Sequence, residues 1–316
     1  MELKRTLSLL AVFLLIFQPL SVFGVSLGDA PSPDVQEAGI ISESKYYVQG
    51  EYPVCSDGKI TEPCKCGEKA YNAGFCCRGI WFDPYYENIF SNNTCPSGNF
   101  YFVDQNHPNA SDENPGTEEM PWKTLIHGCA QLKAGDILLV KNGVYASQKI
   151  SPPGWIPSIQ IKNSGTETAP IIVKAYPDHS PIIDGKTAEG YYTFGAHRVN
   201  HIIIDGLIVR HGIIIFDESS YITIQNCELI YGWTKETDPS YTNMIEFRYT
   251  NFSIVRNCVI HGNKFVIGEE GPGSNKAAII LHWCNDILIE NNLFYDNIIS
   301  YRNKSSGGGV YGHRNI

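Results

Sequence analysis

The sequence predicts an all-β solenoid, a parallel β-helix, preceded by a small disulfide-rich module. Two observations carry that reading. Four β-rich segments superimpose without gaps around a recurrent turn residue, and six of the ten cysteines fall in one short stretch ahead of them. The segments are HIIIDGLIV from His201, YITIQNCELI from Tyr221, FSIVRNCVI from Phe252 and DILIENNLF from Asp286. Aligning their turns puts Gly206, Asn226, Asn257 and Asn291 in one column, at separations of 20, 31 and 34 residues. Asn tolerates left-handed backbone angles, and its amide can bond to the Asn of a neighbouring coil. Short strands joined at variable intervals through the same turn residue fit a solenoid in which each coil adds one rung. A β-propeller would need four strands per blade of about 40 residues, and a β-sandwich gives no reason for an Asn ladder.

From the N-terminus, Lys4 and Arg5 precede an apolar stretch, Leu7 to Phe17, broken by Pro19 and followed by the small residues Val22 and Gly24. This is the pattern of a signal peptide over residues 1–24. The stretch is far shorter than the roughly 20 residues that span a bilayer. No other apolar run in the chain has that length, so a secreted or cell-surface protein with no transmembrane segment in the mature chain is expected. Residues 25–45, with Pro31 and Pro33, read as a flexible lead. The chain of 316 residues is 43% hydrophobic and 18% charged, as expected of a folded, water-soluble protein. Its net charge of −9 excludes a general nucleic-acid surface, which needs clustered Lys and Arg. Nothing in it indicates a nucleotide or redox cofactor.

Residues 46–98 hold Cys55, Cys64, Cys66, Cys76, Cys77 and Cys95. So short a segment cannot bury enough apolar area alone, and three disulfides are the simplest reading. Fifteen pairings are possible. A zinc site is the rival, although one and zero intervening residues between the close cysteines do not match the usual spacing. Trp81, Phe82, Tyr85 and Tyr86 are either a sugar-stacking face or the module's own core.

Residues 100–145 carry an Asn-Pro-Gly-Thr turn (Asn114 to Thr117), then Pro121, Trp122, Lys123 and Thr124 opening an amphipathic helix, then Gly135 and Asp136 before the strand ILLVKNGVY. Together with APIIVKAYPDHSPIIDG (Ala169 to Gly185) and the Asn ladder, this resembles the N-terminal part of the right-handed parallel β-helix polysaccharide lyases of the pectate-lyase-like superfamily. The resemblance implies a right-handed parallel β-helix over residues 99–316. Its helix should lay Trp122, Leu125, Ile126, Cys129 and Leu132 over the open first rung. The final coil begins at VYGHRNI, and the sequence leads us to expect that the β-helix is C-terminally truncated there.

Counting back from each turn makes Ala196, Phe216, Phe247 and Leu281 inward-facing on the preceding strand. Period-two alternation then turns His197, Asp217, Arg248 and His282 outward, with Tyr311 next if Ile316 matches Ile287. A second outward column is Gly195, Ile215, Glu246 and Ile280. The resemblance implies that this strand lines a polysaccharide groove. The connections at 231–243, 261–277 and 295–309 would be its walls, with Trp233, Tyr241 and Tyr301 stacking on sugars and Lys235, Lys264, Arg302 and Lys304 meeting uronate carboxylates. Glu246, Glu269 and Glu270 are candidate calcium ligands.

A polysaccharide lyase removes the proton beside a uronate carboxyl, so it needs a cation on that carboxyl and a base. Arg248 suits the first role, His282 or Lys264 the second. A glycoside hydrolase needs two carboxylates, and Asp217 and Glu246 are the pair available. The paired-Asp motifs of β-helix polygalacturonases and the Asp-Pro-His motif of alginate epimerases are absent. The third expectation is a non-catalytic glycan-binding or adhesion protein. Cys227 and Cys258, one rung apart after ladder Asn residues, are expected to pack in the core. The partner is a polysaccharide, in the lyase reading one containing uronates, and no oligomeric state is indicated.

Overall fold

In a computed structural model, residues 46–90, 95–147, 156–185, 192–232, 242–267, 276–301, 304–307 and 310–313 are described. The predicted signal peptide and flexible lead lie outside them. The chain from Phe100 onward winds into a solenoid of three parallel sheets. Face A contains Ile159–Gln160, Phe194–His197, Ile214–Asp217, Thr242–Arg248, Lys276–His282 and Val310–His313. Face B contains Phe100–Val103, Ile137–Val140, Ile171–Ala175, Asn200–Asp205, Ser220–Gln225, Asn251–Arg256 and Asn285–Glu290. Face C contains Val144–Ala146, Ile182–Asp184, Ile208–Arg210, Glu228–Ile230, Val259–His261 and Leu293–Tyr295. No described helix is long and apolar enough to cross a membrane.

The corners follow from backbone chemistry. Between faces A and B, Arg198, Glu218, Tyr249 and Trp283 all take positive φ. Between B and C the predicted column does the same: Gly206, Asn226, Asn257 and Asn291 have φ of 75°, 55°, 52° and 53°. Their amides do not bond to one another as expected. Asn226 donates instead to Asp205 (2.7 Å) and Asp83 (2.9 Å). Side-chain bonds between asparagines of adjacent coils form elsewhere, at Asn251–Asn285 and Asn263–Asn297. From Phe194 onward the A-to-B and B-to-C corners are short, and the long connections run from C back to A after Ile230, His261 and Tyr295.

The core inside the coils is a stack of Ile, Val, Leu and Phe, including Cys227, Cys258 and Cys284 as free, buried thiols. Helix α1, Leu125–Gln131, closes the first rung. Thr124 Oγ1 caps it by accepting from the His127 amide at 3.2 Å. Leu125, Cys129 and Leu132 are buried beneath it, and Trp122 joins them with its indole N–H donating to the Asn114 carbonyl. Gly116 is required there, because a Cβ would come within 2.7 Å of the Trp122 ring at a φ of +80°.

The six module cysteines pair as Cys55–Cys64, Cys66–Cys76 and Cys77–Cys95, which removes the zinc reading. Trp81, Phe82 and Tyr86 are buried, so they are core residues and not a sugar face. The module lies against the outside of face B. Phe75, Cys77, Ile80, Phe82, Tyr86 and Phe90 form one cluster with the outward residues Ile137, Leu139, Ile172 and Ile203. That contact explains why the early face-B strands are apolar on both sides, a pattern that an open face would not tolerate. Farther along, face B turns outward the in-register stripe Lys174, Asp205, Gln225, Arg256 and Glu290. The 3-10 turn Pro84–Asn88 engages it: Tyr86 donates to Asp205 at 2.8 Å, Lys174 donates to the same carboxylate at 2.8 Å, and Arg256 lies 4.0 Å over the Tyr85 ring.

Candidate functional site

Strand alternation builds the site on face A. Ala196, Phe216, Phe247 and Leu281 point inward in register, and His197, Asp217, Arg248 and His282 follow them outward on four successive rungs. The fifth member of the column is His313, which pairs with His282. Tyr311 falls opposite Ile280 instead, in the second column. The expectation for Tyr311 assumed a last coil two residues shorter than the one that forms.

These side chains make one connected network. His197 Nδ1 lies 3.0 Å from Asp217 Oδ2, and Arg248 Nε lies 3.9 Å from Asp217 Oδ1 and 4.0 Å from Glu246 Oε1. His282 Nε2 is 3.8 Å from the same Glu246 oxygen. Asp217 and Glu246 are only 5% and 4% exposed, so both carboxylates act from a poorly hydrated position. Glu246 shares its column with Ile215 and Ile280, both fully buried. The structure also brings in Tyr192, whose hydroxyl donates to Glu246 at 3.4 and 3.5 Å. Burial, and then the Glu246 charge, push that phenol well above its ordinary range. Tyr192 was not foreseen, because it precedes the strand at a position whose parity with Phe194 suggests an inward side chain.

The corner beside the stripe supplies further groups. Arg198 grips Glu218 with bonds of 2.7 and 3.1 Å, and this holds the Glu218 carboxyl below its usual range. Next to them, Tyr249 and Trp283 stack at 4.8 Å with planes 6° apart, while remaining 47% and 38% exposed. Each directly follows a stripe residue, Arg248 or His282, and that adjacency was the available sequence signal.

Two other expected residues stand on strands outside face A. Lys264 opens the strand Lys264–Ile267, which pairs with Ile298–Tyr301 in a separate three-stranded sheet. Tyr301 ends that second strand, in register with Ile267 and Lys304. Trp233, Lys235, Tyr241, Glu269, Glu270 and Arg302 lie outside the described residues.

Among the described residues, His197, Asp217 and Glu218 bring ligand atoms within 4.8 Å of one another. Calcium takes six to eight oxygens. Here one donor is an imidazole, and each carboxylate already faces a guanidinium: Arg248 for Asp217, Arg198 for Glu218. Glu246 is likewise occupied by Arg248, His282 and Tyr192. These described side chains do not suit calcium, and no chemical step is derived through it. The network is suited to accepting a proton on an imidazole and presenting a guanidinium to an oxygen on the adjacent rung.

Comparison with known proteins agrees with this architecture. Over 145 residues the chain is 28% identical to an uncharacterised protein, YwoF, of Bacillus subtilis, covering 41% of this chain and 28% of that one. Over 83 residues it is 32% identical to pectate lyase PEL9 of Emericella nidulans, covering 26% and 18% of the two chains. Among solved structures, pectate lyase Pel9A superimposes with a TM-score of 0.44 at 17% identity, covering 68% of this chain and 58% of its own. A rhamnogalacturonan lyase gives 0.43 at 15% identity, covering 68% and 60%. The chain thus spans under a third of either curated relative. The description "Pel9A-like, right handed beta helix region" matches residues 101–313, about two thirds of the sequence, and the chain belongs to that family.

Proposed function

We propose that this chain is a carbohydrate-active protein of an extracellular compartment, which binds a uronate-containing polysaccharide along the outside of face A and cleaves it by β-elimination. The observation that carries the reading is the run of His197, Asp217, Arg248 and His282 on successive rungs, in a chain whose Pel9A-like family match spans the same strands. One curated relative named a pectate lyase adds support. The three disulfides support an oxidising compartment.

The chemistry asks for a base beside the sugar and a cationic hydrogen-bond donor on its carboxyl. His282, one rung from Arg248 on face A, is assigned as the base, with Lys264 as the alternative. Arg248, one rung away, meets the carboxyl. His197 and Asp217 extend the binding surface toward the N-terminal rungs, and Trp233, Tyr241, Tyr301 and Arg302 are assigned to the groove walls. A glycoside hydrolase is the second reading, favoured by Asp217 and Glu246 both standing within 4.0 Å of Arg248 Nε.

The test incubates the chain with polygalacturonate, pectin, alginate and glycosaminoglycans, with calcium and with a chelator. A new ultraviolet absorbance from unsaturated uronates is expected on at least one of them. New reducing ends without that absorbance would select the hydrolase. Binding on a glycan array with neither product would leave a non-catalytic glycan-binding protein.

A further inference from the structure

Six of the ten cysteines form the module's disulfides, and four stay reduced and buried: Cys129, Cys227, Cys258 and Cys284. Two of these four are neighbours. Cys227 and Cys258 hold the same position on successive coils, between the paired residues Gln225 and Arg256 on one side and Glu228 and Val259 on the other. The Val259 amide donates to the Cys227 carbonyl at 2.9 Å, which ties the two backbones together at this point. Each cysteine follows a ladder Asn with nearly the same φ, 55° and 52°, so the two side chains leave the backbone side by side. Adjacent strands of a sheet lie about 4.8 Å apart, inside the roughly 4.4–6.8 Å that a disulfide spans between Cα atoms.

The thiols themselves lean on backbone oxygens. Cys227 Sγ donates to the Gln225 carbonyl at 3.1 Å and Cys258 Sγ to the Arg256 carbonyl at 3.2 Å. Cys258 Sγ also reaches back to the Ile224 carbonyl of the preceding coil at 3.7 Å. Cys129 lies on helix α1 and Cys284 at an A-to-B corner, so neither stands in register with another cysteine. Zinc asks for four ligands, and among the described residues no imidazole or carboxylate joins this pair as a third.

We propose that Cys227 and Cys258 are the site of a fourth disulfide, which joins the coil carrying Asp217 to the coil carrying Arg248. The oxidant is an external disulfide of the exchange-catalyst class. One cysteine thiolate attacks it and releases one external thiol, and the second cysteine thiolate then displaces the other. Both cysteines lose their protons, the Sγ–Sγ bond forms, and the external disulfide is reduced to two thiols. Burial, and then the neighbouring Cys258 thiol, push the Cys227 thiol well above its ordinary range, so it reacts poorly once the core has closed. The bond therefore forms while the coils are stacking. It closes a loop over the strand Thr242–Arg248 and the first of the long connections into face A. The assignment holds whichever polymer face A takes.

The test exports the full chain to the bacterial periplasm, purifies it without reductant and denatures it in iodoacetamide. Intact mass counts the alkylated cysteines, and peptide mapping locates them. Molecules whose three module disulfides are intact should carry two alkyl groups, on Cys129 and Cys284, and should yield a peptide linking Cys227 to Cys258. Cys258→Ala should raise the count to three by freeing Cys227. Four groups on the unsubstituted chain, falling to three in the variant, would overturn the proposal. Because the count is taken after denaturation, it does not depend on how well the variant folds. Thermal melts supply a second readout. Cys258→Ala should lower the midpoint several degrees more than Cys284→Ala, which removes a buried thiol without breaking a bond. Equal shifts would count against the disulfide.

Discussion

Faces A and B each turn an in-register stripe of ionisable side chains outward, and they use it for opposite purposes. On face B, Lys174, Asp205, Gln225 and Arg256 meet the disulfide module, which buries the central groups and supplies hydrogen-bond partners from Tyr86 and Asp83. On face A, the groups contact one another mainly from rung to rung, and His197 and Arg248 remain partly exposed. A charged stripe on a solenoid is therefore no sign of a site by itself. What distinguishes the two is that the disulfide module packs over the stripe on face B.

Removing the central carboxylate from each stripe tests this contrast most strongly. Asp205→Ala leaves Lys174 buried without its 2.8 Å partner and should cost about 3–5 kcal/mol, read from the midpoint of urea denaturation. Asp217→Ala should cost only about 1 kcal/mol by the same measurement, because Arg248 keeps Glu246 beside it. Equal losses would erase the distinction between the faces. The next effect is catalytic: His282→Ala should lower unsaturated-product formation about 100-fold while the denaturation midpoint hardly moves.

The pH response should separate the faces further. Burial, reinforced by the charge of Asp205, raises the Asp83 carboxyl from 3.8 to about 6. A carboxyl raised on folding binds its proton more tightly in the folded state, so its effect is to weaken stability as pH rises from about 4 through about 6. Asp205 is shifted the other way: Lys174 and the hydrogen bonds of Asn226 and Tyr86 outweigh its burial and lower it. Its stabilisation is present above its ordinary value and is lost as pH falls through the lowered one. The junction should thus hold best in mild acid. Thermal melts of the unsubstituted chain should decline between pH 4 and 6, and those of Asp83→Asn should lose that decline. The smallest effect expected is that of Tyr85→Ala, which removes the ring beneath Arg256 and should cost about 0.5–1 kcal/mol in the same denaturation assay.

The face-A column was readable in the sequence because strand alternation is strict and the Asn turns supply an origin for counting. The same counting failed at Tyr311, where one coil length was assumed, and it said nothing of the extra strand Lys264–Ile267 within the connection that precedes face A. The face-B stripe went unread for a different reason. Asp205, Gln225 and Arg256 directly precede the turn column and look like ordinary turn residues, and the hydrogen-bond partners of Asp205 and Gln225 in the module lie 119 and 142 positions away in sequence. Likewise, no local pattern selects one disulfide pairing among fifteen or discloses that Trp81 and Phe82 face a core.

The uneven coil lengths have a further consequence. From Ile208 onward the strands of all three faces stay in register from rung to rung, while the residues that differ in number sit between Ile230 and Thr242, His261 and Lys276, and Tyr295 and Val310. Every one of these segments leads into face A. Segments at that one edge can be lengthened, shortened or exchanged without disturbing the stacked core or the module on face B. Redesign of the proposed glycan preference can therefore start from these three connections, with the second and third varied together because Lys264–Ile267 pairs with Ile298–Tyr301.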